Sequence, residues 1–337
     1  MTEFPIRQRV LNTLSGKESD ICPYYIWIDK AMVKPIADYY GDVNFQQTII
    51  QEHTVMAEVG ALQKPLGGDL YEDEFGVTLL EGSIPHVEKP ALLEPSLKGY
   101  DFPDLSTPDH FDHLEKWLAA HEDRFKIVQM KQFLSERLWS LRGFEQSFMD
   151  FYLNRVFIED VLENLMENCL RVVDALVTRF GDKIDAIGMT EDTGSEHALL
   201  MDPNMWRQFI RPKLKKIFGR VKAKGKFAYF HSCGHIEPIV PDLIEIGIDI
   251  LQPIQPESND IFKLKSAYGR DICLAGGIST QKTLPFGSSR DVLDEVNMCL
   301  SVMAKGGGYI MAPAKPILPG VPIENAVTLI DRFTKQH

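Results

Sequence analysis

The feature that most constrains this chain is the rhythm of its C-terminal half. From about residue 181 onward, short apolar runs alternate with helix-length amphipathic segments: DAIGM at 185–189, FAYF at 227–230, DILQPI at 249–254, DICLAGGI at 271–278 and YIMA at 309–312. Strand, helix, strand, helix with short links is the sequence form of parallel βα units. A closed (β/α)8 TIM barrel is the architecture this order predicts, with an open doubly wound sheet as the alternative. No GxGxxG follows any of the runs, so a dinucleotide-binding sheet has no positive support. The length of 337 residues suits one barrel domain over the whole chain, 1–337.

The N-terminal half fits the same plan less regularly. FPIRQRVLNTL at 4–14 predicts a leading helix that caps the barrel floor. ICPYYIWI at 21–28 reads as the first strand, and Asp29 after it is either a helix cap or a binding group. Tyr24, Tyr25, Trp27 and Phe75 are expected as core or pocket wall. The spacing from 41 to 66 predicts a helix closed by Gly67 and Gly68. Asp73 and Glu74 then precede a strand-like Val77–Leu80. The stretch 83–109, dense in Pro, Gly and polar residues, predicts an excursion that walls or lids a site.

Composition bounds the partners. A formal charge of -12 and a pI near 5.3 argue against a nucleic-acid binder, which needs clustered Lys and Arg. Small molecules or proteins are the expected partners, and a homodimer is open. The N-terminus lacks a basic segment followed by an apolar core, and no long apolar run exists, so no membrane role and a cytoplasmic location are expected. Five cysteines, Cys22, Cys169, Cys233, Cys273 and Cys299, are too scattered for a disulfide framework.

Chemistry is expected at strand tips, where α/β barrels keep it. FAYF ends abruptly in His231, Ser232, Cys233, Gly234 and His235. His231 and Cys233 are two apart, so on a continuing strand they share a face and can hold one metal ion between them; the alternative is a buried histidine beside an inert cysteine. DAIGM runs into Thr190, Glu191, Asp192, Thr193 and Gly194, a second concentration of polar groups. Gly276 and Gly277, in GGIST, read as either a phosphate-holding cofactor loop or a tight turn.

Several of these stretches carry a family likeness. FAYFHSCGHIEPIVPDLIEIGIDILQPIQPE, CLAGGIST and GGYIMAPAKPILPGVPIEN resemble the uroporphyrinogen decarboxylase-like superfamily. So do DEFGV at 73–77, LEPSLKGYDFPD at 93–104 and MDPNMWRQFIRPKLKKI at 201–217. The resemblance implies a (β/α)8 barrel. True uroporphyrinogen decarboxylases carry an Arg-rich N-terminal motif that clamps the substrate's carboxylates. Here YYIWIDKAMVKP stands instead, so porphyrinogen decarboxylation is not expected.

The other branch of the superfamily consists of zinc-dependent methyltransferases that exchange methyl groups with a corrinoid. Their hallmark is HxC plus a distant C-terminal cysteine, and His231 and Cys233 match its first half. In APAKPILPGVP, Lys315 stands at the place of that cysteine. A protonated lysine cannot ligate zinc, so either the third ligand comes from Glu191, Asp192, His197 or His235, or the site holds no zinc. Glu191 and Asp192 are favoured because they end a neighbouring strand. The resemblance thus implies zinc at His231, Cys233 and Glu191, a corrinoid supplied by a partner protein, and site carboxylates at Glu191, Asp192 and Asp73 with Lys315 beside them. Three readings follow: a corrinoid-linked methyltransferase acting on a methylated small molecule or thiol; a metal-free decarboxylase or lyase using carboxylates; and a non-enzymatic relative whose site has decayed.

Overall fold

A computed structural model describes residues 3–80, 82 and 86–336. Its strands are β1 Thr54–Val59, β2 Gln63–Gly67, β3 Leu70–Asp73, β4 Thr78–Leu80, β5 His86–Lys89, β6 Phe125–Met130, β7 Ala186–Thr190, β8 Phe227–His231, β9 Ile250–Ile254, β10 Cys273–Ile278 and β11 Tyr309–Pro313. Seven of them form one curled parallel sheet in the order β1-β6-β7-β8-β9-β10-β11. Its central strands are apolar and buried along their length, as strands covered on both faces must be. Main-chain bonds tie the stretch 23–29 to β11 and to the residue just before β1: Tyr25 N–H donates to the Met311 carbonyl at 3.2 Å, and His53 N–H to the Tyr24 carbonyl at 2.9 Å.

The inner face of the sheet is filled by Tyr25, Ile127, Ala186, Tyr229, Ile250, Ala275 and Ile310, with Val10 from the leading helix Ile6–Leu14 packed among them. Arg7 of that helix donates to the Asp185 carboxylate at 2.6 and 2.8 Å, which ties the helix to the start of β7. The outer face is covered by helices. The longest, Arg155–Phe180, buries Ile158, Val161, Leu162, Leu165, Cys169, Val172 and Leu176, a stripe at helical spacing that packs toward helix Arg211–Ala223. Each such fully buried aliphatic chain contributes roughly 1.5–3 kcal/mol relative to exposure. No helix among the described residues is long and apolar enough to cross a membrane.

The chain departs from expectation in several places. The segment 41–66 is not one helix: a helix covers Lys30–Tyr40, a short π-turn covers Gln46–Ile50, and then the chain enters β1 and β2. Gln51, with φ 49°, ends the helical stretch, and β1 draws its hydrogen bonds from the neighbouring β6. The excursion 83–109, whose residues 83–85 lie outside the described set, contributes β5 to a four-stranded antiparallel sheet, β2-β3-β4-β5. Asp29 takes the capping role, accepting from Ala31 N–H at 2.9 Å, and the stretch before it is extended with isolated bridges rather than a full strand. Two helices, Pro203–Phe209 and Arg211–Ala223, meet at Ile210.

Candidate metal centre

Parallel strands all present their C-terminal ends on one side, so β7 and β8 deliver Thr190 and His231 side by side, paired in register. The chain beyond each turns back sharply, and the two turns lock together through their main chains. His235 N–H donates to the Ser195 carbonyl at 2.7 Å, and Thr193 N–H donates to the Ser232 hydroxyl at 2.9 Å. Gly234 has φ +84°, and a Cβ on it would lie 2.4 Å from the Ser195 carbonyl oxygen. Only glycine fits that approach, which is why the HSCGH turn carries one at this place.

Within this frame Asp192, His231 and Cys233 converge. One ligand atom from each, a carboxylate oxygen, an imidazole nitrogen and a thiol sulphur, lie within 4.8 Å of one another. His231 Nε2 is 3.5 Å from the Cys233 sulphur and 3.7 Å from Asp192 Oδ1. Asp192 Oδ1 also accepts from Cys233 N–H at 2.8 Å, which fixes the carboxylate against the turn. The side chains of His231 and Asp192 are 18% and 41% exposed, so the group is open to a ligand from solvent. Three protein donors of mixed N, O and S character with one side open are chemically able to hold a zinc ion.

The environment sets the protonation of these groups. Burial, then the Asp192 carboxylate, push the Cys233 thiol up to about 12, while Lys315 beside the sulphur pulls the other way. Burial lowers the pKa of His231, which keeps its imidazole neutral and a ready donor. Lys315 is half-buried and forms no ion pair with a carboxylate among the described residues. It faces Cys233.

Glu191 lies elsewhere than expected. Its side chain turns inward, 1% exposed, and accepts from Ser135 N–H at 2.7 Å; it is not part of the grouped donors. Successive residues leaving a strand point to opposite sides, so of two adjacent acids one faces the opening and the other the core. Burial and then Glu136 raise the Glu191 carboxyl to about 8, and burial and then Asp192 raise Glu136 to about 7. Glu136 accepts from Thr190 Oγ1 and from Asp192 N–H, each at 3.0 Å, and so underpins the Asp192 turn.

The remaining expected site residues have structural partners. Asp73 is 4% exposed, pairs with Arg137, and accepts from Phe75 N–H and Val77 N–H at 3.0 and 3.1 Å. Gly276 and Gly277 sit inside β10. A Cβ on Gly276 would lie 3.0 Å from the Ile254 nitrogen, and one on Gly277 would lie 2.7 Å from the Tyr309 hydroxyl, so strand packing accounts for both without a phosphate. His235 faces the Ser258 carbonyl at 2.7 Å, and His197 is exposed. Glu136 and Gln252 escaped sequence reading. Gln252 carried one signal, a polar residue in the apolar run DILQPI; Glu136, at the start of a helix after β6, carried none.

A family model described as uroporphyrinogen decarboxylase (URO-D) matches residues 138–336, more than half of the chain. The chain therefore belongs to the uroporphyrinogen decarboxylase family. Within it, the sequence is 26% identical over 186 residues to a methylcobamide:CoM methyltransferase MtaA from Methanosarcina barkeri, and 25% identical over the same length to the protein of that name from the Fusaro strain. Those alignments cover 55% of this chain and 51% of the relatives, so the chain matches about half the length of the curated relatives. A solved structure of a methyltransferase from Methanosarcina mazei superposes over 99% of both chains with a TM-score of 0.71 at 20% identity, which shows a shared fold.

Proposed function

We propose that this protein is a methyltransferase that moves a methyl group between a corrinoid, carried by a partner protein, and a methylated small molecule or a thiol. Its metal would be zinc, held by Asp192, His231 and Cys233. The observation that supports this most is the convergence of those three donors at the ends of two adjacent strands, in a chain whose matched relatives are named methylcobamide:CoM methyltransferases. A zinc ion held there would supply the Lewis acidity that keeps a thiol as its thiolate at neutral pH. Of this chain's own residues, Asp192 brings negative charge, Cys233 would add a second as a thiolate on losing its proton to a bound metal, His231 brings a neutral nitrogen, and the Lys315 ammonium offsets part of that charge at the opening. We read the whole chain, 1–337, as one cytoplasmic (β/α)8 unit; the bonds from 23–29 to β11 and to the residue just before β1 support the eighth stave.

The test uses purified protein with free methylcobalamin and a set of small thiols. About one zinc per chain and thiol-dependent demethylation that stops on chelation are the expected results. Demethylation unaffected by removal of the metal, or a protein that takes up no zinc, would overturn the reading. One observation favours a second reading, a metal-free decarboxylase or lyase: Glu136 and Glu191 are carboxyls raised to about 7 and 8, suited to hold a proton near neutrality. Carbon dioxide release from a small carboxylated substrate, insensitive to chelator, would support it.

A further inference from the structure

We infer that Gln252 is a positioning residue that fixes the tautomer of His231 and presents its Nε2 to the metal. The inference rests on the zinc reading above and adds to it a residue that is not itself a ligand.

Gln252 lies on β9 directly beside His231 in the parallel register, and it is 1% exposed. A buried amide in an otherwise apolar strand costs free energy unless its polar atoms are satisfied. Its side-chain oxygen accepts from the Tyr229 hydroxyl at 2.7 Å and faces His231 Nδ1 at 2.5 Å. An amide oxygen has two acceptor positions and no proton to give. With one taken by the hydroxyl, the other requires that His231 Nδ1 carry the hydrogen.

The consequence falls on the far side of the ring. A neutral imidazole protonated at Nδ1 has its free lone pair at Nε2, the nitrogen 3.5 Å from the Cys233 sulphur and 3.7 Å from Asp192. Tyr229 and His231 are two apart on β8, so they share a strand face and one acceptor serves both. Tyr229, itself 1% exposed and locked in the inner layer, holds the amide against rotation. The orienting group is a neutral amide, so it aligns the ring without placing a second carboxylate beside it.

Two readouts test this, one of them independent of any metal. In metal-free protein with 15N-labelled histidine, long-range nitrogen–proton NMR should report His231 as the Nδ1–H tautomer, and Gln252→Leu should convert it to a mixture or to the other form. In competition with a chromophoric chelator, Gln252→Leu should bind zinc roughly 10–100-fold more weakly, while Gln252→Glu, which keeps an acceptor at this place, should retain the Nδ1–H form. Gln252→Met, closer in length, is expected to repeat the loss and covers the case of a misfolded leucine variant. A Gln252→Leu or Gln252→Met protein that keeps both the tautomer and the zinc affinity overturns the role given to Gln252. A parent protein that shows the Nδ1–H tautomer yet takes up no zinc instead overturns the metal reading beneath it.

Discussion

At Asp192 and Glu191 a difference of one residue decides the chemistry. Asp192 reaches the opening with His231 and Cys233, whereas Glu191 is buried against Ser135 N–H. Asp192→Asn should therefore lower zinc affinity by at least about 10-fold, and Glu191→Gln should leave zinc stoichiometry unchanged; equal losses in both, measured by metal analysis after dialysis, would reverse the assignment. Cys233→Ala should likewise lose zinc while melting near the parent temperature, because a strand-tip residue contributes less than the core. Lys315→Cys, which puts a second thiol beside Cys233, should tighten zinc binding in the chelator competition. The pair two apart at a strand end made His231 and Cys233 legible in the sequence. Which of two neighbouring acids faces outward was not, since it depends on where the strand ends. Gln252 matters only through the register between β8 and β9, and a single sequence does not display register.

The turns after β7 and β8 behave as one element. Their contact is backbone against backbone, so Gly234→Ala forces a side chain into the Ser195 carbonyl at a positive φ. A loss of about 2 kcal/mol or more in denaturant unfolding is expected, together with weaker zinc binding; a variant as stable as the parent would show that the turns can part without cost. Elements of the C-terminal half were legible because fully buried parallel strands read as unbroken apolar runs. Those between 41 and 109 were not. β2 is exposed along its length and β5 nearly so, and they owe their existence to antiparallel partners rather than to an apolar pattern. β1 drew its identity from β6, a contact that apolar spacing alone misassigned to a helix.

Across the whole molecule, two adjacent groups at the entry to β1 oppose one another in acid. Burial, followed by Arg9, lowers His53 to about 3 from 6.5, so it stays neutral when folded; the unfolded chain takes the proton first, and stability falls as pH drops from about 6.5 toward 3. Burial raises Glu52, which accepts from Ile26 N–H at 2.8 Å, to about 7 from 4.5; the folded chain holds that proton longer, and stability falls as pH rises through 4.5 to 7. Between about 4.5 and 6.5 the two slopes cancel. His53→Gln should unmask a decline in stability with rising pH in that window, and Glu52→Gln a decline with falling pH, as read from unfolding midpoints across a pH series. Parallel profiles for both variants would contradict the opposition.

β1 and β6 are bonded neighbours, yet residues 60–124 intervene between them, leaving from the same end of the sheet at which His231 stands. The seven-stranded frame closes across that gap without help from the inserted antiparallel sheet. The insert is nonetheless rooted in the same core, through Phe75, Val77 and Leu79, so whatever it presents at that rim is anchored to the scaffold beneath.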